Sequence, residues 1–410
     1  MRKAAFAALL VLGTVVPGFA TAQQAPAPQP AQPPQPEAKD EGLKVGIFDL
    51  SGYLDVSLNH MSRRNVFTSG TPDRVFDLSS SGGRLQQFAF TLASQPKEGL
   101  GGLVNVTTGK DANVIAPYKT SPQKGKLCNV ATHIDANGNR CSDDNFDVTQ
   151  AFLQYATGSW TIIGGKFVTS AGAEVINTPT NTNFSRSILF GYAIPFTHTG
   201  FRATYAFSDT LSVIGGANQG WDDIKDTNSS KTGEAGVSWT PSKMVSVAVM
   251  THFGKERAAG LTNSELPAAF RLEGQRKLLD AVVTINATEK LTFVLNYDNA
   301  SQANTVNVTP NGSRTSKWNG FAGYANYQFN DQWRLSARAE TFNDKQGYRT
   351  GVVQKWTEGT LTVAWLPTKP IELRGEVRRD HSNVASFLDR NGVTGRSNNS
   401  SYGLQFLYKF

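Results

Sequence analysis

Cysteine is almost absent, with 2 residues in a chain of 410. That excludes a disulfide-dense scaffold, and no Cys/His cluster has the spacing of a zinc site. Charged residues are 18% and hydrophobic residues 39%, both low for a soluble globular chain. Beyond the N-terminus no apolar run approaches the roughly 18 residues of a spanning helix. Ala, Glu, Lys and Leu are too sparse for a coiled coil. No long basic block is present, which argues against nucleic acid as a partner. G-x-S-x-G, H-E-x-x-H and phosphate-cradling Gly loops are missing, so the residues point to no enzyme, no cofactor and no metal. The five histidines, His60, His133, His198, His252 and His381, lie outside any such motif. What fills the chain is Gly, Ser, Thr, Asn and Gln, with 24 Phe, 11 Tyr and 7 Trp. That is too aromatic for disorder. The length would allow two or three soluble domains, but a barrel of this size is a single domain.

The N-terminus reads as an export signal. Met1-Arg2-Lys3 is basic, Ala4 to Val16 is apolar, and Ala20-Thr21-Ala22 is a small-residue cleavage site. Residues 1–22 are therefore expected to be a signal peptide. Its removal takes away Arg2 and Lys3, so the formal charge of +7 falls by two. Residues 23–42 are Pro- and Gln-rich with no apolar face, the composition of an extended periplasmic linker. The folded unit is expected over 43–410.

From Val45 onward the dominant period is two. Phe48, Leu50, Leu54, Val56 and Leu58 share one face, while Asp49, Ser51, Tyr53, Asp55, Ser57 and Asn59 share the other. Val245, Val247, Val249 and Phe253 oppose Ser246 and His252, and Ile371, Leu373 and Val377 oppose Glu372, Arg374, Glu376 and Arg378. This is alternation across a pleat. A soluble sandwich alternates too. Two features favour a lipid-embedded barrel instead. The polar face repeatedly carries charge, while aromatics such as Phe167, Trp239, Phe253, Trp333, Trp365 and Phe410 cap the apolar face. Connections also alternate in length. Short turns fall near 95–99, 157–159, 208–210, 241–243, 288–290, 330–332 and 367–370. Long connections lie near 61–83, 110–145, 170–199, 221–231, 255–272, 301–316, 344–351 and 381–397. The expectation is all-β: a closed antiparallel transmembrane barrel of about sixteen strands, with short periplasmic turns and long extracellular loops. Closure is needed because lipid cannot satisfy an open sheet edge.

The block Gly165-Lys166-Phe167, Glu174-Val175-Ile176, Phe184-Ser185-Arg186-Ser187 and Phe190-Gly191-Tyr192-Ala193-Ile194-Pro195-Phe196 continues through Thr197-His198-Thr199-Gly200-Phe201-Arg202 to Tyr205. Together with Asn218-Gln219-Gly220-Trp221-Asp222 and Arg378-Arg379-Asp380 it resembles the OmpL-like β-barrel porin family of bacterial outer membranes. The resemblance implies a pore-forming barrel of the outer membrane of a Gram-negative bacterium. The alternating last strand, Tyr402 to Phe410, looks like the assembly signal read by the barrel-assembly machinery. The 110–145 connection matches nothing in the family pattern.

Residues 170–199 form the most informative loop. Loops this long are usually functional or disordered, and Ile188, Leu189, Phe190, Tyr192, Ile194 and Phe196 argue against disorder. The expectation is that the loop enters the lumen and narrows it, with Glu174, Arg186 and His198 facing the pore. A loop packed on the rim is the alternative. On the wall, Arg334, Arg338, Glu340, Glu372, Arg374, Glu376 and Arg378 point inward, joined by Lys166, Arg202, Asp55, Asp280, Asp298 and Glu358. Rings of charge bias ion entry, and the Arg cluster leans toward mild anion preference. The other reading is that Arg and Glu cross-pair and cancel, through the strand between the two that carry them. Cys128 and Cys141, with twelve residues between them, are expected to form a disulfide in an oxidising compartment. Asp135, Asn137 and Asn139 imitate a calcium loop, but Arg140 and Phe146 break the pattern.

The function expected is passive diffusion of small hydrophilic solutes and ions through a water-filled pore. A solute-selective channel for sugars or oligosaccharides, or a plugged structural or adhesive barrel, are the alternatives. Outer-membrane lipid is the surrounding partner, and a homotrimer is an open option.

Overall fold

The computed structural model describes residues 43–69, 71–77, 80–115, 128–129, 134–135, 145–226, 228–257, 273–305 and 315–410. The expected signal peptide and linker lie outside these residues. So do the Cys128 side chain and Cys141, and with them the expected disulfide. The Asp135–Phe146 calcium mimic falls largely there too.

Sixteen long strands run in chain order: β1 Phe48–Met61, β2 Ser81–Ser94, β3 Gly99–Thr108, β4 Phe146–Thr157, β5 Trp160–Val168, β6 Thr197–Ser208, β7 Leu211–Asn218 and β8 Thr232–Trp239. They continue as β9 Val245–Arg257, β10 Glu273–Asn286, β11 Leu291–Ala303, β12 Thr315–Asn330, β13 Trp333–Asp344, β14 Gln354–Thr368, β15 Ile371–Ser382 and β16 Asn398–Lys409. Each pairs antiparallel with its neighbour, and β16 closes the ring on β1 with Tyr53 opposite Lys409 and Met61 opposite Ser401. A short piece, Leu43–Val45, folds back on the start of β1. At the seam Gly52 and Phe410 exchange backbone hydrogen bonds of 2.8 and 2.9 Å. A side chain at Gly52 would collide with the Phe410 ring at 2.4 Å, so glycine here lets the last residue lie flat over β1. The described residues contain no helix long and apolar enough to cross a membrane.

The alternation resolves as the sequence implies. In β1, Tyr53, Asp55, Ser57, Asn59 and Met61 are buried, whereas Val56 and Leu58 are exposed on the outer face. Leu100, Leu153, Phe201, Leu404 and Tyr402 also stand outward and exposed. An outer apolar surface around a polar interior inverts a soluble core and suits acyl chains. Aromatics gather where the short turns are. Trp160 packs on Tyr205 at 4.7 Å, Tyr327 on Phe329 at 4.9 Å, and Trp333 stacks on Trp365 at 6.1 Å. Rings at this end of the strands suit a membrane–water interface, where amphipathic aromatics are favoured. Phe167 departs from the expected girdle. It is buried beneath the Arg202 guanidinium, 4.4 Å from ring to cation, because it pairs with inward-facing His198 across β5 and β6.

Both chain directions agree with the loop-length reading. The short turns join β2–β3, β4–β5, β6–β7, β8–β9, β10–β11, β12–β13 and β14–β15, and the start of β1 and the end of β16 lie at that same end. The opposite end carries the long connections.

Candidate functional site

The connection 169–196 leaves β5 and returns as β6. It hydrogen-bonds to Arg338 and Glu340 of β13, Thr362 of β14 and Arg374, Glu376 and Arg378 of β15, which lie half-way round a ring of sixteen strands. A segment tethered on one wall and bonded to the opposite wall must cross the lumen.

Its apolar side chains explain why it goes in. Ile188, Leu189, Phe190, Tyr192 and Ile194 are buried, with Leu189–Ala193 wound as one π-helical turn. Burying such side chains is worth about 1.5–3 kcal/mol each. They meet an apolar cluster at the long-loop end of the lumen. Phe67 and Phe76 come from the β1–β2 connection, Val114 and Ile115 from the β3–β4 connection, and Trp318, Phe342 and Trp356 from the wall. Gly320 and Gly403 make room on the wall. A Cβ at Gly320 would lie 2.6 Å from Leu189, and one at Gly403 would lie 2.5 Å from the Phe184 ring.

A buried loop must also satisfy its backbone polar groups. Wall side chains do this. Glu376 accepts the N–H groups of Phe184 at 2.7 Å and Ser185 at 3.1 Å. Glu340 accepts those of Ile188 at 2.6 Å and Leu189 at 3.1 Å. Arg374 donates to the Asn183 carbonyl at 3.1 Å, Arg378 to the Arg186 carbonyl at 2.7 Å, and the Trp318 indole to the Ala193 carbonyl at 3.0 Å. Arg338 is the centre. It donates to Glu358 at 2.6 Å, Glu174 at 2.7 Å and the Ser185 carbonyl at 2.7 Å. Charge-assisted bonds of this kind are the strong class.

Glu174 and Arg186 thus occupy the lumen in different ways. Glu174 binds Arg338 and also accepts the Ser187 N–H at 2.7 Å. Arg186 turns back on its own loop, donating to the carbonyls of Val175 at 3.1 Å and Ile176 at 2.9 Å. His198 belongs to the wall, as the second residue of β6. Lys166 binds Asp147 at 2.9 Å, and Arg202 binds Glu234 at 2.7 Å.

The wall cluster corrects the basis of the lean toward anions. Each of its four arginines is held by carboxylate: Arg334 by Glu372 at 2.6 Å, Arg374 by Glu372 at 2.7 Å, Arg378 by Asp380 at 2.7 Å, and Arg338 as above. Among the described residues, sixteen Asp and Glu are buried against nine Arg and Lys. The buried side chains therefore include more acid than base. The cross-pairing does not need the intermediate strand either. Arg334, Ala364 and Arg374 stand in one row across β13, β14 and β15. The small Ala364 side chain lets Arg334 reach over β14 to Glu372.

Sequence reading missed the β1–β2 connection. Arg74 within it bonds Asp77 and Asp380 at 2.9 Å and the Ser401 hydroxyl at 2.9 Å, all buried. Asp111, after β3, accepts from Gln87 at 2.8 Å. Burial, with Asp55 nearby, pushes the Asp111 carboxyl up to about 8, and burial lifts that of Asp73 to about 7. The composition of 62–80 resembles an ordinary polar loop, so nothing but its Phe67 and Phe76 signalled an inward position. The lumenal Trp and Tyr rings pack on one another, Trp356 with Phe67 at 5.1 Å and Tyr192 at 5.8 Å, and Trp318 with Tyr348 at 5.6 Å.

Solved structures share the architecture. The outer membrane channel DcaP of Acinetobacter baumannii is 13% identical, with 90% of this chain and 99% of that one covered and a TM-score of 0.58. The trimer form of in-vitro folded OmpT of Vibrio cholerae is 12% identical over 88% and 99%, TM-score 0.56. An anion-selective porin from Comamonas acidovorans is 9% identical over 88% and 99%, TM-score 0.56. These likenesses are of fold. No curated protein matches the chain in sequence. The family model described as "Putative beta-barrel porin-2, OmpL-like" matches residues 48–410, the whole of the barrel. The chain therefore belongs to the OmpL-like beta-barrel porin-2 family and is an outer-membrane porin.

Proposed function

We propose that the barrel passes small hydrophilic solutes and ions by passive diffusion, along a path narrowed by residues 169–196, with no catalytic step. The supporting observation is the clamp. The loop from β5 is bonded by Arg338, Glu340, Arg374 and Glu376 on the far wall. The pore is then tight, and its conductance depends on how firmly the loop is docked. With Arg334, Arg338, Arg374 and Arg378 each paired to a carboxylate, selectivity between ions is weak and does not favour anions. The anion-selective Comamonas porin shares the fold without imposing its selectivity here.

Export by residues 1–22, a periplasmic linker over 23–42, insertion through a C-terminal signal ending in Phe410, and a Cys128–Cys141 bridge complete the proposal. A homotrimer is compatible with the trimer form of OmpT. The test is planar-bilayer recording of the wild type against a variant with 177–187 replaced by a short polar turn. A rise in single-channel conductance supports the constriction, and unchanged conductance refutes it.

A second reading is a plugged structural barrel, favoured by the burial of wall charges such as Asp280, Arg374 and Glu372. It requires a silent wild type under all voltages.

A further inference from the structure

Three side chains on the β6–β9 wall take no part in the clamp. His198 of β6, Glu234 of β8 and His252 of β9 are all buried, and their ligand atoms lie within 4.8 Å of one another. We infer that they form a binding site for one first-row transition-metal dication, with Zn²⁺ as the representative ion.

The placement follows from register. Glu234 faces His252 directly across β8 and β9. Arg202, Gly216 and Glu234 share one row across β6, β7 and β8. A Cβ at Gly216 would lie 2.6 Å from the Glu234 carboxylate. Glycine therefore lets that carboxylate lean over β7 toward β6. β7 ends at Asn218, opposite Gly200, so His198 stands just beyond it and its ring reaches across. The two imidazoles stack, with centroids 4.8 Å apart and planes 13° from parallel.

The hydrogen bonding is that of a ligand set. His198 Nδ1 lies 3.2 Å from the Gly220 carbonyl. As a donor there it leaves Nε2 with a free lone pair, the arrangement that orients metal-bound imidazoles. That Nε2 has no hydrogen-bond partner, and neither ring nitrogen of His252 has one. Burying three polar nitrogens unpaired is costly unless something uses them. Glu234 Oε2 lies 3.9 Å from His252 Nδ1, while Arg202 grips the same carboxylate at 2.7 and 3.1 Å. That grip fixes its aim, as outer-shell bonds to ligating carboxylates do. Ligands about 2.0–2.2 Å from a shared Zn²⁺ sit roughly 3.3 Å apart, so small rotations about the side-chain bonds would bring the three together. Two His and one Glu are a known donor combination for Zn²⁺, with one position left for water. Bound there, the ion would tie the strand on which the lumenal loop returns to β8 and β9.

The experiment uses the full barrel, folded in detergent and stripped with a chelator, then titrated with Zn²⁺ by calorimetry and metal analysis. One ion per chain is expected. His198→Gln and His252→Gln should each weaken binding at least tenfold, while His60→Gln/His381→Gln, in exposed positions, should leave it unchanged. Heat-modifiable migration establishes that each variant is folded. If the lumenal variants do not fold, X-ray absorption of Zn²⁺-loaded wild type replaces them, with two imidazoles expected in the metal's shell. No stoichiometric uptake by the folded wild type, equal uptake by the His198→Gln/His252→Gln variant, or a shell without imidazole would each overturn the site. None of these readouts depends on conductance.

Discussion

Replacing Arg338 by Met is the sharpest perturbation of the clamp. Met keeps much of the side-chain volume and removes the charge and every donor. Arg338 bonds Glu358, Glu174, the Ser185 carbonyl and hydroxyl, and the Thr360 hydroxyl, all within the buried interior. Glu358 keeps a second cation, since Arg378 lies 3.5 Å away. Glu174 loses its cation and keeps the Ser187 N–H, and Glu340, 3.6 Å from Arg338, loses that pairing as well. Breaking a buried pair by removing one partner costs about 3–5 kcal/mol. At about 1.4 kcal/mol per tenfold, docking of the loop weakens by roughly two to three and a half orders of magnitude. The ring of strand pairings is untouched, so the barrel stays closed and heat-modifiable. In a planar bilayer the expected result is larger and noisier single-channel current. A folded Arg338→Met barrel with wild-type current would show that this arginine does not hold the barrier, and the clamp argument would fail.

Other outcomes follow from the same geometry. Gly403→Val places atoms where the Phe184 ring sits. An overpacking cost of about 1–3 kcal/mol should raise conductance without lowering the barrel's thermal stability, which paired measurements would check. Asp73 and Asp111 carry folded-state pKa values of about 7 and about 8, above the ordinary carboxyl value near 3.9. The folded state then holds protons that the undocked loops release, so docking weakens as pH rises from about 4 to about 8 and levels off above. Current should be higher at pH 9 than at pH 5, and Asp111→Asn should flatten that difference. Equal current at both pH values would contradict it. Phe410→Ala removes the ring that covers Gly52 and should lower the yield of assembled barrel in cells, read by heat-modifiable migration of membrane fractions. Reversal potentials in a salt gradient should show no anion preference, and a clear one would contradict the pairing of Arg334, Arg338, Arg374 and Arg378.

Strand positions, the turn-and-loop alternation and the closed ring were legible because lipid and water impose a period of two, and a side chain's face follows from its parity. Phe167 follows that rule against the expected girdle: it has the opposite parity to the exposed Trp160 and Ile162 of its strand and shares the inward face of its partner His198. The inward course of 169–196 could be expected from Ile188 to Phe196, whose apolar character needs cover. Its grip on β13–β15 could not, because Glu174 and Arg338 are 164 residues apart and only closure brings them face to face. The same limit hid Arg74 with Asp380, and His198 with Glu234 and His252. Composition does not give the charge of the pore, since net charge adds every residue with equal weight, whereas the pleat decides which charges turn inward and closure decides which of those pair. The chain's own pattern determined that there is a barrel in a membrane. The tertiary structure decided what stands inside it, because contacts across a lumen join strands that no local period relates.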